Sequence, residues 1–219
     1  MSPRFTPKAI VFDLDGTLVD SAGDIVAALD GLLVESGRPA VGYKAGRAMI
    51  GDGARVLIER GFAATGGPVA DVDKALKRWF EIYSADIARH SRPYPGVRET
   101  LADLGARGLA LAVCTNKADA PSRLLLETLD LAAPFRVVVG GDVAHRKPDP
   151  RHLLDTLAKL GTAPKDALMV GDSPNDAKAA RAAGVPVVIV DYGYSHIPPH
   201  ELGADALISD FADLRKLVA

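Results

Sequence analysis

A single cysteine, Cys114, and a single tryptophan occur among the 219 residues, and aromatic side chains make up only 5% of the chain. One cysteine cannot close an internal disulfide, so no disulfide scaffold is available and a reducing compartment suits the sequence. Cys114 ends an apolar run and reads as a small buried hydrophobe rather than a reactive thiol. No apolar stretch approaches the roughly 20 residues needed to cross a bilayer. The start Met1-Ser2-Pro3-Arg4-Phe5 also lacks the apolar stretch of a signal peptide, so a cytoplasmic protein is expected. Neither sign of charge is in excess. With 26 Lys+Arg against 28 Asp+Glu the formal net charge is -2, which gives no reason to expect nucleic acid or an anionic membrane as partner. The five histidines make no metal pattern: His196 and His200 are four apart, but Pro198 and Pro199 between them forbid an ordinary helix interior. Internal repeats and low-complexity tracts are missing as well.

What is present is an ordinary globular composition, 48% hydrophobic and 25% charged, on a chain long enough for one large domain or a core with an insertion. The apolar run Ala9-Ile10-Val11-Phe12 reads as a buried parallel strand. From about 22 to 92 no convincing strand follows. Ile25, Leu29, Leu32 and Leu33 recur at helical spacing, and Val72, Leu76, Trp79, Phe80 and Tyr83 form a second apolar stripe, with breaks at Gly51-Asp52-Gly53 and Gly66-Gly67-Pro68. From Pro93 onward helices alternate with short β-branched runs: 109–114, 136–139, 167–170, 187–190 and a short edge strand at Ala206-Leu207-Ile208. The expected fold class is α/β, a Rossmann-like parallel sheet core formed by residues 1–20 and 93–219, interrupted by an all-helical segment over 21–92.

Four strand ends carry polar groups of one chemical kind. After the first strand come Asp13 and Asp15, two residues apart, which at the carboxyl end of a strand can both face the crevice while Leu14 turns back into the core. Such a pair suits a Mg²⁺ ion, with one carboxylate attacking phosphorus and the other handling protons. The plainer alternative is a strand-end turn with a helix cap. Thr115 and Asn116 offer a hydroxyl and an amide for phosphoryl oxygens, or an N-cap. Lys147 stands before Pro148, Asp149 and Pro150, a helix start, and can act as a point charge on phosphate or carboxylate. In Gly171-Asp172-Ser173-Pro174-Asn175-Asp176, Ser173 and Asp176 have capping-box spacing and Pro174 suits the first helical position. Capping leaves Asp172 unexplained, and a hard oxygen ligand for Mg²⁺ is the better reading. In the helical segment, Gly51-Asp52-Gly53 could present backbone N–H groups at a helix start, with Arg55 as a nearby cation for the far end of a substrate. Asp52 would repel a carboxylate there unless it points away or pairs with Arg55.

Together these segments resemble the haloacid dehalogenase superfamily of phosphohydrolases across nearly the whole chain. The family's DxDGT motif corresponds to Asp13 through Thr17, its threonine to Thr115, its lysine to Lys147 and its GDxxxD to Gly171, Asp172 and Asp176. The resemblance implies that Asp13 is the nucleophile, forming an aspartyl-phosphate, and that Asp15 is general acid and then base. Thr115 and Lys147, with Asn116 assisting, would orient phosphoryl and nucleophile. Mg²⁺ would be held by Asp13, the backbone carbonyl of Asp15 and Asp172, with Asp176 in support. The helical segment would be the family's cap, hinged near Val19 to Ser21 and Ser91 to Tyr94.

Within the superfamily, Leu18-Val19-Asp20-Ser21, Met49 through Ala54, Tyr94-Pro95-Gly96-Val97, Thr115-Asn116-Lys117 and Asp191-Tyr192-Gly193-Tyr194 are similar to bacterial phosphoglycolate phosphatases. The implied activity is Mg²⁺-dependent hydrolysis of a small phosphomonoester, 2-phosphoglycolate, by a monomer or homodimer. The alternatives on the same core are a sugar phosphomutase or a phosphatase of another small phosphate, a sugar phosphate or pyrophosphate. A phosphonate hydrolase would want a Schiff-base lysine in the first part of the cap, and none occurs from Ala45 to Phe62. Haloacid dehalogenase activity is disfavoured because Asp15 supplies a carboxylate those enzymes lack. A binding module on an inactive core would need a missing catalytic group, and all are present.

Overall fold

The computed structural model describes residues 5–219; Met1 to Arg4, part of the start on which the cytoplasmic expectation rests, lie outside the described residues. Strand β1 (Ala9–Phe12) is buried along its whole length. The chain then makes a short strand β2 (Val19–Asp20) and enters helices α1 (Ala22–Glu35), α2 (Gly42–Arg47), α3 (Ala54–Ala64) and α4 (Val72–Ala85) before leaving through β3 (Arg92–Pro93). Helices and strands alternate afterwards: α5 (Val97–Ala106), β4 (Ala110–Cys114), α6 (Asp119–Thr128), β5 (Phe135–Val139), α7 (Pro150–Leu160), β6 (Ala167–Gly171), α8 (Pro174–Ala183), β7 (Val187–Val190), β8 (Ala206–Ile208) and α9 (Leu214–Leu217).

Six of these strands form one sheet in the order β5-β4-β1-β6-β7-β8, with every pairing parallel. The α/β expectation is therefore met. Because β1 is flanked by β4 on one side and β6 on the other, the chain winds away in opposite directions from it. The crevice at such a switch point lies beyond the carboxyl ends of the central strands. Strand alternation divides the interior into two layers. Ile10 and Phe12 point into a large cluster with Leu101, Leu125 and Phe211, while Val11 points the other way, toward Leu153, Met169 and Ile189. The first cluster continues into the insertion through Leu29, Ile58 and Trp79, so apolar packing runs across the join.

Local chemistry sets the helix ends near the site. Asp149 caps α7 by accepting from the Arg151 N–H at 2.9 Å, Pro150 occupies its first turn, and Gly161 closes it in the left-handed conformation. The α8 helix begins in the same way at Ser173-Pro174 and ends at Gly184.

The linkers at either side of the insertion form strands, with Val19 opposite Pro93 and Asp20 opposite Arg92 in an antiparallel pair. Asp24 fastens the pair, its carboxylate accepting from the His90 and Ser91 N–H groups and from the Ser91 hydroxyl at 2.6 Å.

Candidate active site

Asp13 and Asp15 follow β1 in a tight loop, in which the Leu18 and Val19 N–H groups both donate to the Leu14 carbonyl at 3.0 Å. Leu14 is fully buried, as its position between two outward carboxylates requires. Gly16 adopts φ 89°, and a Cβ there would sit 2.6 Å from Asp172 Oδ2, so both backbone and neighbour demand glycine. The end of β6 approaches as closely: a Cβ on Gly171 would lie 2.4 Å from Asp176 Cγ.

Lys147 is almost wholly buried and ion-pairs with Asp13 Oδ1 at 3.0 Å and Asp176 Oδ1 at 2.6 Å. Its backbone N–H donates to His152 Nδ1 at 3.2 Å, and His152 Nε2 lies 3.1 Å from the Gly140 carbonyl, which fixes the neutral ring with its proton on Nε2. Asp172 accepts from the Thr17 hydroxyl at 3.1 Å and the Tyr194 N–H at 2.6 Å. Asp176 spends Oδ2 on the Asp172 and Ser173 N–H groups and the Ser173 hydroxyl, at 3.2, 3.0 and 2.6 Å. Its oxygens are thus engaged by protein, consistent with a supporting place.

One oxygen from each of Asp13, Asp172 and Asp176 lies within 4.8 Å of the others. Burial pushes the Asp13 carboxyl up to about 6, against the opposing pull of Lys147, and it holds Asp172 well above the usual range with the help of Asp176 and Asp13. Burial also opposes charge on Lys147, but its two carboxylate partners outweigh it and raise its pKa. Three carboxylates facing one ammonium leave a deficit of two positive charges, which an all-oxygen site for a divalent cation would make good. Asp13 Oδ1 is buried and accepts no hydrogen bond beyond its ion pair, so a ligand position remains available there.

Asp15 is held by residues that the sequence reading gave no duty. Lys117 places Nζ 3.2 Å from Asp15 Oδ2, and the Ser21 hydroxyl donates to Oδ1. Lys117 is a third charged or polar group in the Thr115-Asn116-Lys117 run after β4, which was the available signal. Thr115 is buried and its Oγ1 accepts from the Lys117 N–H at 3.3 Å. Asn116 donates from Nδ2 to Lys147 O at 2.9 Å and, across to the insertion, to Gly51 O at 3.1 Å.

Two of the sequence expectations for the insertion fall differently. Arg55 pairs with Asp73 of α4 and is not among the residues lining the cavities beside Asp13. Asp52 pairs with Arg60 at 2.6 Å and accepts from Asn175 at 2.8 Å rather than meeting Arg55. The α3 backbone turns Arg55 toward α4, whereas Gly53 and Ala54 remain at the cavity wall.

Residues 10–190 match the family described as haloacid dehalogenase-like hydrolase. A phosphoglycolate phosphatase of Caulobacter vibrioides is 46% identical over 94% of this chain and 89% of its own length, and one of Rhodospirillum rubrum is 47% identical over 95% and 89%. Among solved structures, a predicted phosphoglycolate phosphatase from Haemophilus somnus 129PT superposes with a TM-score of 0.92 at 34% identity, covering 96% of this chain and 97% of that one. CbbY from Rhodobacter sphaeroides, solved with phosphate, gives a TM-score of 0.83 at 25% identity, covering 95% and 96%. With its carboxylates and threonine at the ends of β1, β4 and β6 and Lys147 reaching them from the loop between β5 and α7, the chain belongs to the haloacid dehalogenase-like hydrolases and is a phosphoric monoester hydrolase.

Proposed function

We propose that the enzyme hydrolyses 2-phosphoglycolate to glycolate and phosphate, through an aspartyl-phosphate on Asp13 and with Mg²⁺. The observation that carries the chemistry is the buried Asp13 Oδ1, engaged only by its ion pair with Lys147, with Asp15 held two residues away by Lys117. The substrate rests on relatives named phosphoglycolate phosphatase at 41–47% identity over nearly the whole chain.

Asp13 attacks phosphorus, forming an acyl phosphate bond as the bond to the glycolate oxygen breaks, and Asp15 gives that oxygen its proton. Water then adds to phosphorus, Asp15 takes the water proton, and the bond to Asp13 breaks to release phosphate. Lys147 and the Thr115 hydroxyl hold phosphoryl oxygens during both steps. Asp13, the Asp15 carbonyl and Asp172 would hold Mg²⁺, which neutralises phosphoryl charge. The insertion over 21–92 acts as a cap hinged at β2 and β3, excluding bulk water while the acyl phosphate exists.

No helix among the described residues is long and apolar enough to cross a membrane. We read the enzyme as cytoplasmic and as a monomer or homodimer acting on a free small molecule. Phosphate release from 2-phosphoglycolate, sugar phosphates and pyrophosphate tests the substrate. The highest kcat/KM should fall on 2-phosphoglycolate. CbbY has also been solved with xylulose-(1,5)bisphosphate, so a sugar bisphosphate belongs in the panel, and preference for it would overturn the reading.

A further inference from the structure

Four buried side-chain polar atoms have no hydrogen-bond partner among the described residues: Asp13 Oδ1, which has only its ion pair with Lys147, Asn116 Oδ1, Trp79 Nε1 and Thr100 Oγ1. Three of the four belong to residues lining one cavity of about 50 Å³ between the cap and the ends of β1 and β4. Unsatisfied buried groups are rare in native interiors, because each left unpaired loses its hydration with nothing in return. Their concentration in one small chamber indicates a missing ligand.

The chamber's chemistry says what kind. Its remaining wall is apolar, supplied by Ile25, Ile50, Leu57 and Phe80. Asp13 Oδ1 belongs to the reacting centre and Asn116 Oδ1 is an acceptor on the core side; what the cap adds is a donor. Trp79 brings an unpaired indole N–H. Lys117 brings a positive charge to the same wall, its three N–H donors already directed at both oxygens of Asp15 and at the Tyr83 hydroxyl. The eleven-residue helix α3 starts at the wall through Gly53 and Ala54, and no side chain caps it. A polyol would need acceptors for its hydroxyl hydrogens and more room. A short chain ending in a carboxylate accepts only, and it is favoured by a lysine and by a helix N-terminus.

We propose that this chamber is the subsite for the carboxylate end of the substrate, with Trp79 Nε1 as its side-chain donor, the Lys117 ammonium as a neighbouring positive charge and the α3 N-terminus facing it. Trp79 is thus a specificity-determining residue on the cap, in the place that the sequence reading gave to Arg55. Asn116 Oδ1, an acceptor, is left for water or for the hydroxyl of the alcohol product. The inference rests on the 2-phosphoglycolate reading and deepens it.

Trp79→Phe keeps an aromatic ring, smaller than the indole, and removes the N–H. Its kcat/KM should fall at least about 10-fold further on 2-phosphoglycolate than on ethyl phosphate, which lacks the carboxylate, a difference equivalent to about 1.4 kcal/mol. Parallel losses on both substrates would overturn the assignment. A second measurement does not depend on how that variant folds. Trp79 is the chain's one tryptophan, so emission from an Asp13→Asn protein reports this site alone. Saturable change with 2-phosphoglycolate, absent with ethyl phosphate, supports the subsite. Unchanged emission when calorimetry shows 2-phosphoglycolate bound removes it. The two readings fail separately. If the wild-type enzyme hydrolyses other esters and not 2-phosphoglycolate, the functional reading falls, and the emission titration still decides the carboxylate subsite.

Discussion

The ammonium of Lys117 donates a 2.7 Å hydrogen bond to the hydroxyl of Tyr83, joining the end of β4 to helix α4. The same ammonium lies over the Tyr83 ring, 4.4 Å from its centroid, and holds Asp15 on its other side. Asp15 and the inserted helices therefore share one cation. Tyr83→Phe leaves Lys117 with an unmatched donor in a buried place. It should lower unfolding free energy by about 1–3 kcal/mol, read as a shift of the urea midpoint at unchanged slope.

Asp13→Asn should reduce phosphate release on the order of 10³-fold or more for every ester, because an amide cannot accept the phosphoryl group. The circular dichroism spectrum should remain that of the parent. Substantial residual turnover would remove Asp13 as nucleophile.

Loss of Asp15 should depend on the leaving group. Asp15→Asn is expected to cost 2-phosphoglycolate much more than p-nitrophenyl phosphate, whose leaving group needs little protonation. Equal losses on the two substrates would argue against a proton-transfer role.

Excess chelator should stop turnover, and Mg²⁺ should restore it. Asp172→Ala should weaken Mg²⁺ binding measured by calorimetry, independently of activity. A variant with unchanged Mg²⁺ affinity would take Asp172 out of the ligand set.

His152 gives the fold an acid sensitivity. Burial, helped by Lys147, pushes its pKa down to about 4 from an ordinary 6.5. The unfolded chain binds the proton first, so the contribution of the neutral ring is complete above about pH 6.5 and is lost progressively toward pH 4. Its ceiling is on the order of 3 kcal/mol. Chemical denaturation across that window should show a steeper loss for the parent than for His152→Gln, a non-titrating replacement; identical slopes would discount the histidine.

Arg55→Ala should change kcat/KM by less than about 2-fold on 2-phosphoglycolate and p-nitrophenyl phosphate alike, since its partner is the exposed Asp73. A selective loss on 2-phosphoglycolate would return Arg55 to the substrate pocket.

Much of the sheet was legible because each strand is a short apolar run ending in polar residues, and a parallel strand buried on both faces has little other way to read. Asp13, Asp15, Thr115 and Asp172 were legible as candidates for the same reason, since they close such runs, whereas Lys147 was legible from the helix start at Pro148-Asp149-Pro150 that follows it. The pairings that orient them were not. Lys117 lies 102 positions from Asp15 and 34 from Tyr83, and no local periodicity relates residues so far apart. Arg55 shows the same limit from the other side, because a residue's place on α3 does not reveal that α4 will offer it Asp73. The strands β2 and β3 are two residues each, too short for any alternation to register.

Those two short strands have a topological consequence. By pairing Val19 with Pro93 and Asp20 with Arg92, they bring the chain back beside the point where it left. The open sheet continues from that point as though more than seventy residues had been a single loop. The entropy of closing a long connection grows only slowly with its length, and here a clasp of four residues and Asp24 brings its ends together. The sheet's winding is therefore indifferent to what is threaded between β2 and β3. Helices with other wall residues could occupy the same socket, changing the molecule admitted while leaving the phosphorus chemistry below untouched.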